Sequence, residues 1–264
     1  MENNLFDSKR IAEGYLKRPW LHRYVMERIK NDCGVSTKFK NGLDVGCGAG
    51  LSTKALKLLC DRVTGTDISE AMIQICKDTY LNACYDFYAA AAEETRIPEE
   101  LYDIVTAAGV INWVDKDKFL RNMRKIMADG GLLVIYDFEI SDQMIGNTRY
   151  ADWYNNEYLV NFPKPPRKES IWKQDDLITG FVLEKQVTYQ MQYEFDMEEF
   201  VEFMLIQSNV NVKIEGGDKD TCKVRAWMNE TLAPIFEGKS RAVVFNGYNW
   251  YIKKVVKRGE LNEN

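Results

Sequence analysis

Asp44-Val45-Gly46-Cys47-Gly48-Ala49-Gly50 overlaps the end of a first short strand, 43–45, and precedes nine residues, 51–59, whose apolar members recur at helical spacing. Strand, glycine turn and helix in that order open a βαβ unit. Glycines at alternate positions remove the Cβ atoms that would keep a ligand off the backbone, and they permit dihedrals closed to other residues. A dinucleotide fingerprint counted from Gly46 needs glycine at its sixth place, where Leu51 stands; glycine occupies the fifth, Gly50. The lysine of a phosphate-binding G-x-x-x-x-G-K-[ST] loop is also absent. The turn therefore invites a ligand onto bare peptide while disfavouring NAD, FAD and nucleoside triphosphates.

Outward from the turn, short apolar runs and amphipathic stretches alternate about every 20 to 25 residues, the rhythm of a parallel sheet with crossover helices. A second strand is expected at 62–66, then a helix capped by Ser69 and running through Tyr80. A weak third strand follows at 86–89, a fourth at 102–107, a helix at 116–127 stopped by Asp129-Gly130-Gly131, and the strongest strand at 132–138. Past Ser141 the character changes. Residues 150–166 hold aromatics and three prolines without a clean period and read as a loop-rich cap over a pocket. A strand at 181–195, helices at 196–206 and 221–236, a last strand at 242–256 and a frayed polar tail at 258–264 complete the pattern. The expected architecture is one α/β domain with a doubly wound, mostly parallel seven-stranded sheet, an N-terminal helical element and a C-terminal helical and loop cap.

Composition narrows the function. Of 264 residues, 45% are hydrophobic and 28% charged, with 35 Lys and Arg interspersed among 40 Asp and Glu for a net charge of -5. A chain of that size can bury about 73% of its unfolded surface, enough for a large core. No field of one sign exists to draw in nucleic acid phosphates. The cysteines form no C-x-x-C pair, MENNLFDSKR lacks the apolar centre of a signal peptide, and no apolar run approaches the ~20 residues that span a bilayer. A cytoplasmic protein acting on a small molecule is expected, with neither membrane nor nucleic acid as partner and no metal site.

Asp67 closes the second strand 21 residues after Gly46, where an open parallel sheet presents side chains to a ribose whose two hydroxyls one carboxylate can accept. With Asp44, Gly46, Gly48 and Gly50 matching every fixed place of D-x-G-x-G-x-G, the chain from about Phe6 to Phe138 resembles the class I S-adenosylmethionine-dependent methyltransferases. It looks most like their type 11 small-molecule branch, which includes the trans-aconitate methyltransferases. That resemblance implies a Rossmann-like fold and S-adenosylmethionine as cofactor. It divides the chain into an N-terminal helical cap (1–35), a cofactor-binding core (36–140), a substrate cap with the sixth strand (141–241) and a last strand (242–257).

The resemblance also implies residue roles. Tyr15-Leu16-Lys17-Arg18-Pro19 has the form of the branch's Tyr-x-x-Arg-Pro element, which would place Tyr15 and Arg18 at the methionine carboxylate. Cys47 within the turn, Ile68 and Met72 beside ribose and adenine, Ala92 and Glu93 near the adenine, and Ala108 after the fourth strand complete the cofactor set. In Ala90-Ala91-Ala92-Glu93 the usual Asp is replaced by Ala91, which removes one adenine contact. Asn112-Trp113 stands where the branch reads His-Trp or Gln-Trp; Asn112 would orient substrate by its amide, and Trp113 reads either as a substrate wall or as a core anchor. Tyr136, Asp137 and Glu139 at the end of the fifth strand would face the pocket mouth, whereas His22, remote in sequence, reads as structural or exposed. Trp153, Tyr154, Tyr158, Phe162 and Trp172 read as a lid or as cap packing, and Gln207-Ser208-Asn209 resembles a stretch near the substrate. No catalytic base is assigned. A nucleic-acid methyltransferase is disfavoured because Ala107-Ala108-Gly109-Val110 replaces [DN]-P-P-[YF]; a cofactor-binding module without turnover is the other alternative.

Overall fold

Leu132, Val134 and Tyr136 alternate with Leu133 and Ile135 along the fifth strand, and the two sets end in different cores. A strand apolar on both faces must lie inside a sheet covered on both sides. The computed structural model describes residues 9–164 and 171–255, with side chains from residue 13 onward, so the expected polar tail and the prolines at 165 and 166 fall outside the described residues. Strands β1 (Phe39–Val45), β2 (Cys60–Asp67), β3 (Tyr85–Ala89), β4 (Tyr102–Ala108), β5 (Met127–Met144), β6 (Phe181–Phe195) and β7 (Arg241–Lys254) form one sheet in the order β3-β2-β1-β4-β5-β7-β6. The first five pair in parallel, and β7 runs antiparallel to both its neighbours. The order reverses between β1 and β4. In open α/β sheets the crevice outside the carboxyl ends of such strands is where ligands sit.

Helices α1 (Lys9–Leu16), α2 (His22–Asp32), α3 (Leu51–Leu56), α4 (Glu70–Thr79) and α5 (Lys116–Ile126) accompany the parallel half. Ser69 caps α4 by accepting the Met72 N–H at 3.3 Å, as its place before an apolar stretch suggested. One core joins α2 and α3 to the cap; the other joins α5 to Trp172 and Trp250 on the opposite face. Trp172 therefore packs against Phe119 and Trp250 on the far side of the sheet from the other lid candidates. Among the described residues no helix is long and apolar enough to cross a membrane, and no group of three or more His, Cys, Asp or Glu could hold a metal.

Several elements differ from expectation, among them a helix at Ser208–Glu215 that the sequence reading did not contain and a fifth strand that runs on to Met144. Asp129-Gly130-Gly131 does not separate helix from strand: α5 ends at Ile126, and β5 starts at Met127 with a register shift opposite residues 102–104, Gly130 taking φ +76°. The segment expected as loop is helical: α6 (Arg149–Asp152), a π-helical turn (Trp153–Tyr158) and α7 (Leu159–Asn161) run on from one another. Buried Tyr150, Trp153, Tyr154 and Tyr158 are spaced as one helical face, and the prolines all come later. They pack on α8 (Met197–Leu205), α9 (Ser208–Glu215) and α10 (Thr221–Phe236), with Phe200 touching the rings of Tyr150, Trp153, Phe195 and Phe236.

Phe200 is fully buried and Trp113 is 75% exposed. In urea unfolding, Phe200→Ala should lose about 3–5 kcal/mol of stability, whereas Trp113→Ala should stay within about 0.5 kcal/mol of the parent.

Candidate cofactor and substrate site

β1 ends in a carboxylate with no access to water. Asp44 accepts hydroxyl hydrogen bonds from Ser52 (2.5 Å) and Thr53 (2.7 Å) in the first turn of α3, and from Thr106 of β4 (2.8 Å). It lies beneath the glycine turn and braces it. Burial outweighs the three donors and pushes this carboxyl up to about 6, with the Asp67 charge adding to the rise.

Gly46, Gly48 and Gly50 all take positive φ, but their surroundings differ. A Cβ on Gly46 would come within 2.3 Å of Val110, and one on Gly50 within 2.5 Å of Tyr80; one on Gly48 would meet nothing within 4 Å. Gly46 and Gly50 thus serve close packing, and Gly48 alone turns its bare Cα to open space. The Gly48 backbone is pinned from both sides: its N–H donates to Asp67 Oδ2 at 2.9 Å, and its carbonyl accepts the thiols of Cys76 (3.2 Å) and Cys47 (3.6 Å). Burial holds the Cys47 thiol protonated. Asp67 also accepts the Ser69 N–H at 2.9 Å, so the carboxylate at the end of β2 faces the turn.

The N-terminal segment closes over this place. Tyr15 and Leu16 pack on Ala49 and the buried Met72. The Arg18 guanidinium stacks on Tyr15 at 3.7 Å from the ring centre and donates through Nη2 to the Ile206 carbonyl at 2.9 Å, while its buried Nε has no hydrogen-bond partner. Trp20 donates to the Leu51 carbonyl at 3.0 Å. On the far side of Asp67, Ile68 is 68% exposed. Glu93 accepts the Asp115 N–H at 2.8 Å, which braces the loop after β4, and Ala92 packs against the second core. Asn112 and Trp113 stand exposed on that loop, so Trp113 is no core anchor.

At the end of β4, Ala108 lies in register with Tyr136 midway along β5, and the Tyr136 hydroxyl is 2.9 Å from His22 Nδ1. His22, the lone histidine, is therefore brought to the sheet's carboxyl edge by the turn between α1 and α2, which no periodicity in the sequence announces. Asp137 accepts the Phe138 N–H at 2.8 Å and lies beside Gly109, and Glu139 is exposed and paired with Lys164 at 2.8 Å. Asn209 serves the cap, accepting from Tyr158 and donating to the Phe162 carbonyl. Sequence reading missed Ser52, Thr53 and Thr106 as partners of Asp44; hydroxyls on the first turn after a glycine bend, eight and nine residues past an Asp, were the available signal.

The folded state favours protonated Asp44, so this group adds stability as pH falls from about 6 towards the ordinary carboxylate range near 4, and its penalty is complete above that window. Asp44→Asn should abolish this contribution, on the order of 3 kcal/mol. Between pH 7 and pH 4 the unfolding free energy of the parent, relative to that of the variant, should rise by about this amount.

Residues 43–135 match the family Methyltransf_11, described as a methyltransferase domain. A ubiquinone/menaquinone biosynthesis C-methyltransferase, UbiE, of Psychromonas ingrahamii is 30% identical over 126 residues, 45% of this chain and 50% of that protein. The chain thus spans about half the length of the curated relatives it matches. Two solved structures share the fold. One, from Anaeromyxobacter dehalogenans and described as a type II methyltransferase, has a TM-score of 0.67 at 18% identity and covers 89% of this chain and 96% of its own. The YcgJ protein of Bacillus subtilis has a TM-score of 0.50 at 14% identity, over 88% and 99%. Strand order and glycine turn agree with the family match: residues 43–135 are similar to a methyltransferase domain, set in the sheet fold that the two solved structures share.

Proposed function

We propose that the protein transfers a methyl group from S-adenosylmethionine to a small organic acceptor. The observation that carries this is the bare Gly48 backbone, open to solvent space and tied by its N–H to Asp67 at the crevice where the strand order reverses. When bound, S-adenosylmethionine supplies an electrophilic methyl group on a sulfonium sulfur.

The residues present fit such a ligand. Asp67 accepts the Gly48 and Ser69 N–H groups, which hold its carboxylate at the turn, and a carboxylate there is a ribose-hydroxyl acceptor. Ile68 offers an apolar face next to it. Arg18, whose buried Nε lacks a partner, meets a carboxylate at the other end of the turn, with Tyr15 stacked beneath it. Tyr15, Arg18 and Pro19 together support the type 11 branch. Residues from α1, the turn and the loop after β4 would align the acceptor with the methyl carbon, and alignment of this kind supplies much of the acceleration of an in-line displacement. Asp137 and Glu139 are engaged with their neighbours, which supports a mechanism of positioning rather than proton removal by either. Interspersed charge and the absence of an exocyclic-amine motif support a small acceptor over nucleic acid.

Calorimetry with S-adenosylhomocysteine tests the reading. Asp67→Ala should weaken binding by more than ~1.5 kcal/mol, about tenfold. Gly48→Ala, which puts a methyl group into the open side of the turn, should weaken it comparably in a folded protein. Unchanged affinity in both variants would overturn the assignment, and a mass-spectrometric acceptor panel should reveal a product heavier by one CH₂.

A further inference from the structure

We infer that His22 is a neutral hydrogen-bond donor to the methyl acceptor, its Nε2–H selecting acceptors that carry an oxyanion, such as a carboxylate or a phenolate. This rests on the methyl-transfer reading above. Tyr136 is completely buried, and among the described residues its hydroxyl makes no hydrogen bond other than that with His22 Nδ1 at 2.9 Å. A buried phenol needs an acceptor for its proton, and Nδ1 is the one within reach. The imidazole proton then resides on Nε2, which takes no hydrogen bond among the described residues. Edge contacts with Phe138 (ring centres 5.0 Å apart) and Tyr136 (5.8 Å) fix the ring plane.

Three surroundings keep the ring uncharged. Burial lowers its pKa to about 3, the Arg18 guanidinium adds to the fall, and its place as the first residue of α2 sets it at the positive end of that helix. The facing groups are Arg18 from the N-terminal segment and the Tyr136 phenol from β5, itself held protonated by burial and the Asp44 charge. An uncharged N–H beside a guanidinium favours an anion. His22 keeps its proton throughout, so the acceptor enters already ionised: its electron pair forms the bond to the methyl carbon as the carbon–sulfur bond breaks, that pair stays on sulfur, and no proton moves.

His22 is the only histidine, so long-range ¹H–¹⁵N correlation spectra of the labelled protein report this ring alone. The expected pattern is the Nε2–H tautomer, unchanged from about pH 8 to about pH 5. Tyr136→Phe should mix the tautomers and raise the titration midpoint. With S-adenosylhomocysteine saturating, benzoate should shift the Nε2–H resonance and uncharged benzyl alcohol should not. An Nδ1–H tautomer in the parent protein, or a ring signal unmoved by benzoate, overturns the inference without recourse to the variant. Failure of S-adenosylhomocysteine to bind in calorimetry would instead strike the methyl-transfer reading, while the tautomer of His22 would still be read.

Discussion

The buried carboxylate of Asp44 is the constraint on which the site depends. Taking an ionised carboxylate out of water costs several kcal/mol, and three hydroxyl donors offset only part of that, as the raised pKa shows. What the arrangement secures is geometric. Ser52 and Thr53 fix the start of α3, and Thr106, directly opposite Asp44 in the β1–β4 register, fixes β4. Gly65, opposite Asp44 on β2, leaves room for the Thr53 hydroxyl, since a Cβ there would come within 2.8 Å of it. The glycine turn is strung between ends that are already held.

From that anchor the rest of the crevice follows by contact. Gly48 joins the turn to β2 through Asp67, and Cys76 joins it to α4 through a thiol. Met72 on α4 and Ala49 in the turn form the surface on which α1 lies. The N-terminal segment thereby reaches Arg18, and one further turn brings His22 to Tyr136. Two groups separated by more than a hundred residues meet because the sheet's carboxyl edge is where every one of these connections ends.

Legibility in the sequence tracked how local the determining physics was. Strands β1, β2, β4 and β5, the Ser69 cap and the Asp67 position were readable because alternation, capping and glycine chemistry act within a few residues. The helical run after β5 was misread since aromatics are modest helix formers and the prolines behind them dominated the composition, although 150, 153, 154 and 158 share a helical face. Trp113 stands in water and Trp172 on the opposite face, facts set by long-range packing that spacing alone does not carry. His22 was least legible of all. Its place beside Tyr136 comes entirely from a tertiary contact.

The cap aromatics, read from sequence as a lid or as packing, are satisfied within the cap itself. Tyr150 and Tyr154 donate to the carbonyls of Ser141 and Ile140, Tyr158 to Asn209, and their rings pack on α8 and α10. Their effect on the site is therefore indirect. The cap holds Ile206, whose carbonyl takes the Arg18 Nη2, and Gly14 leaves space there, since a Cβ on it would lie 2.9 Å from the Ile206 side chain. Cap and N-terminal segment are coupled through this junction, which explains how that segment can lie over the turn without a large core of its own. On the methyl-transfer reading, discrimination among acceptors then falls to α1, the loop after β4 and the Tyr136–His22 pair, with the aromatic cap as the rigid frame that keeps Arg18 in place.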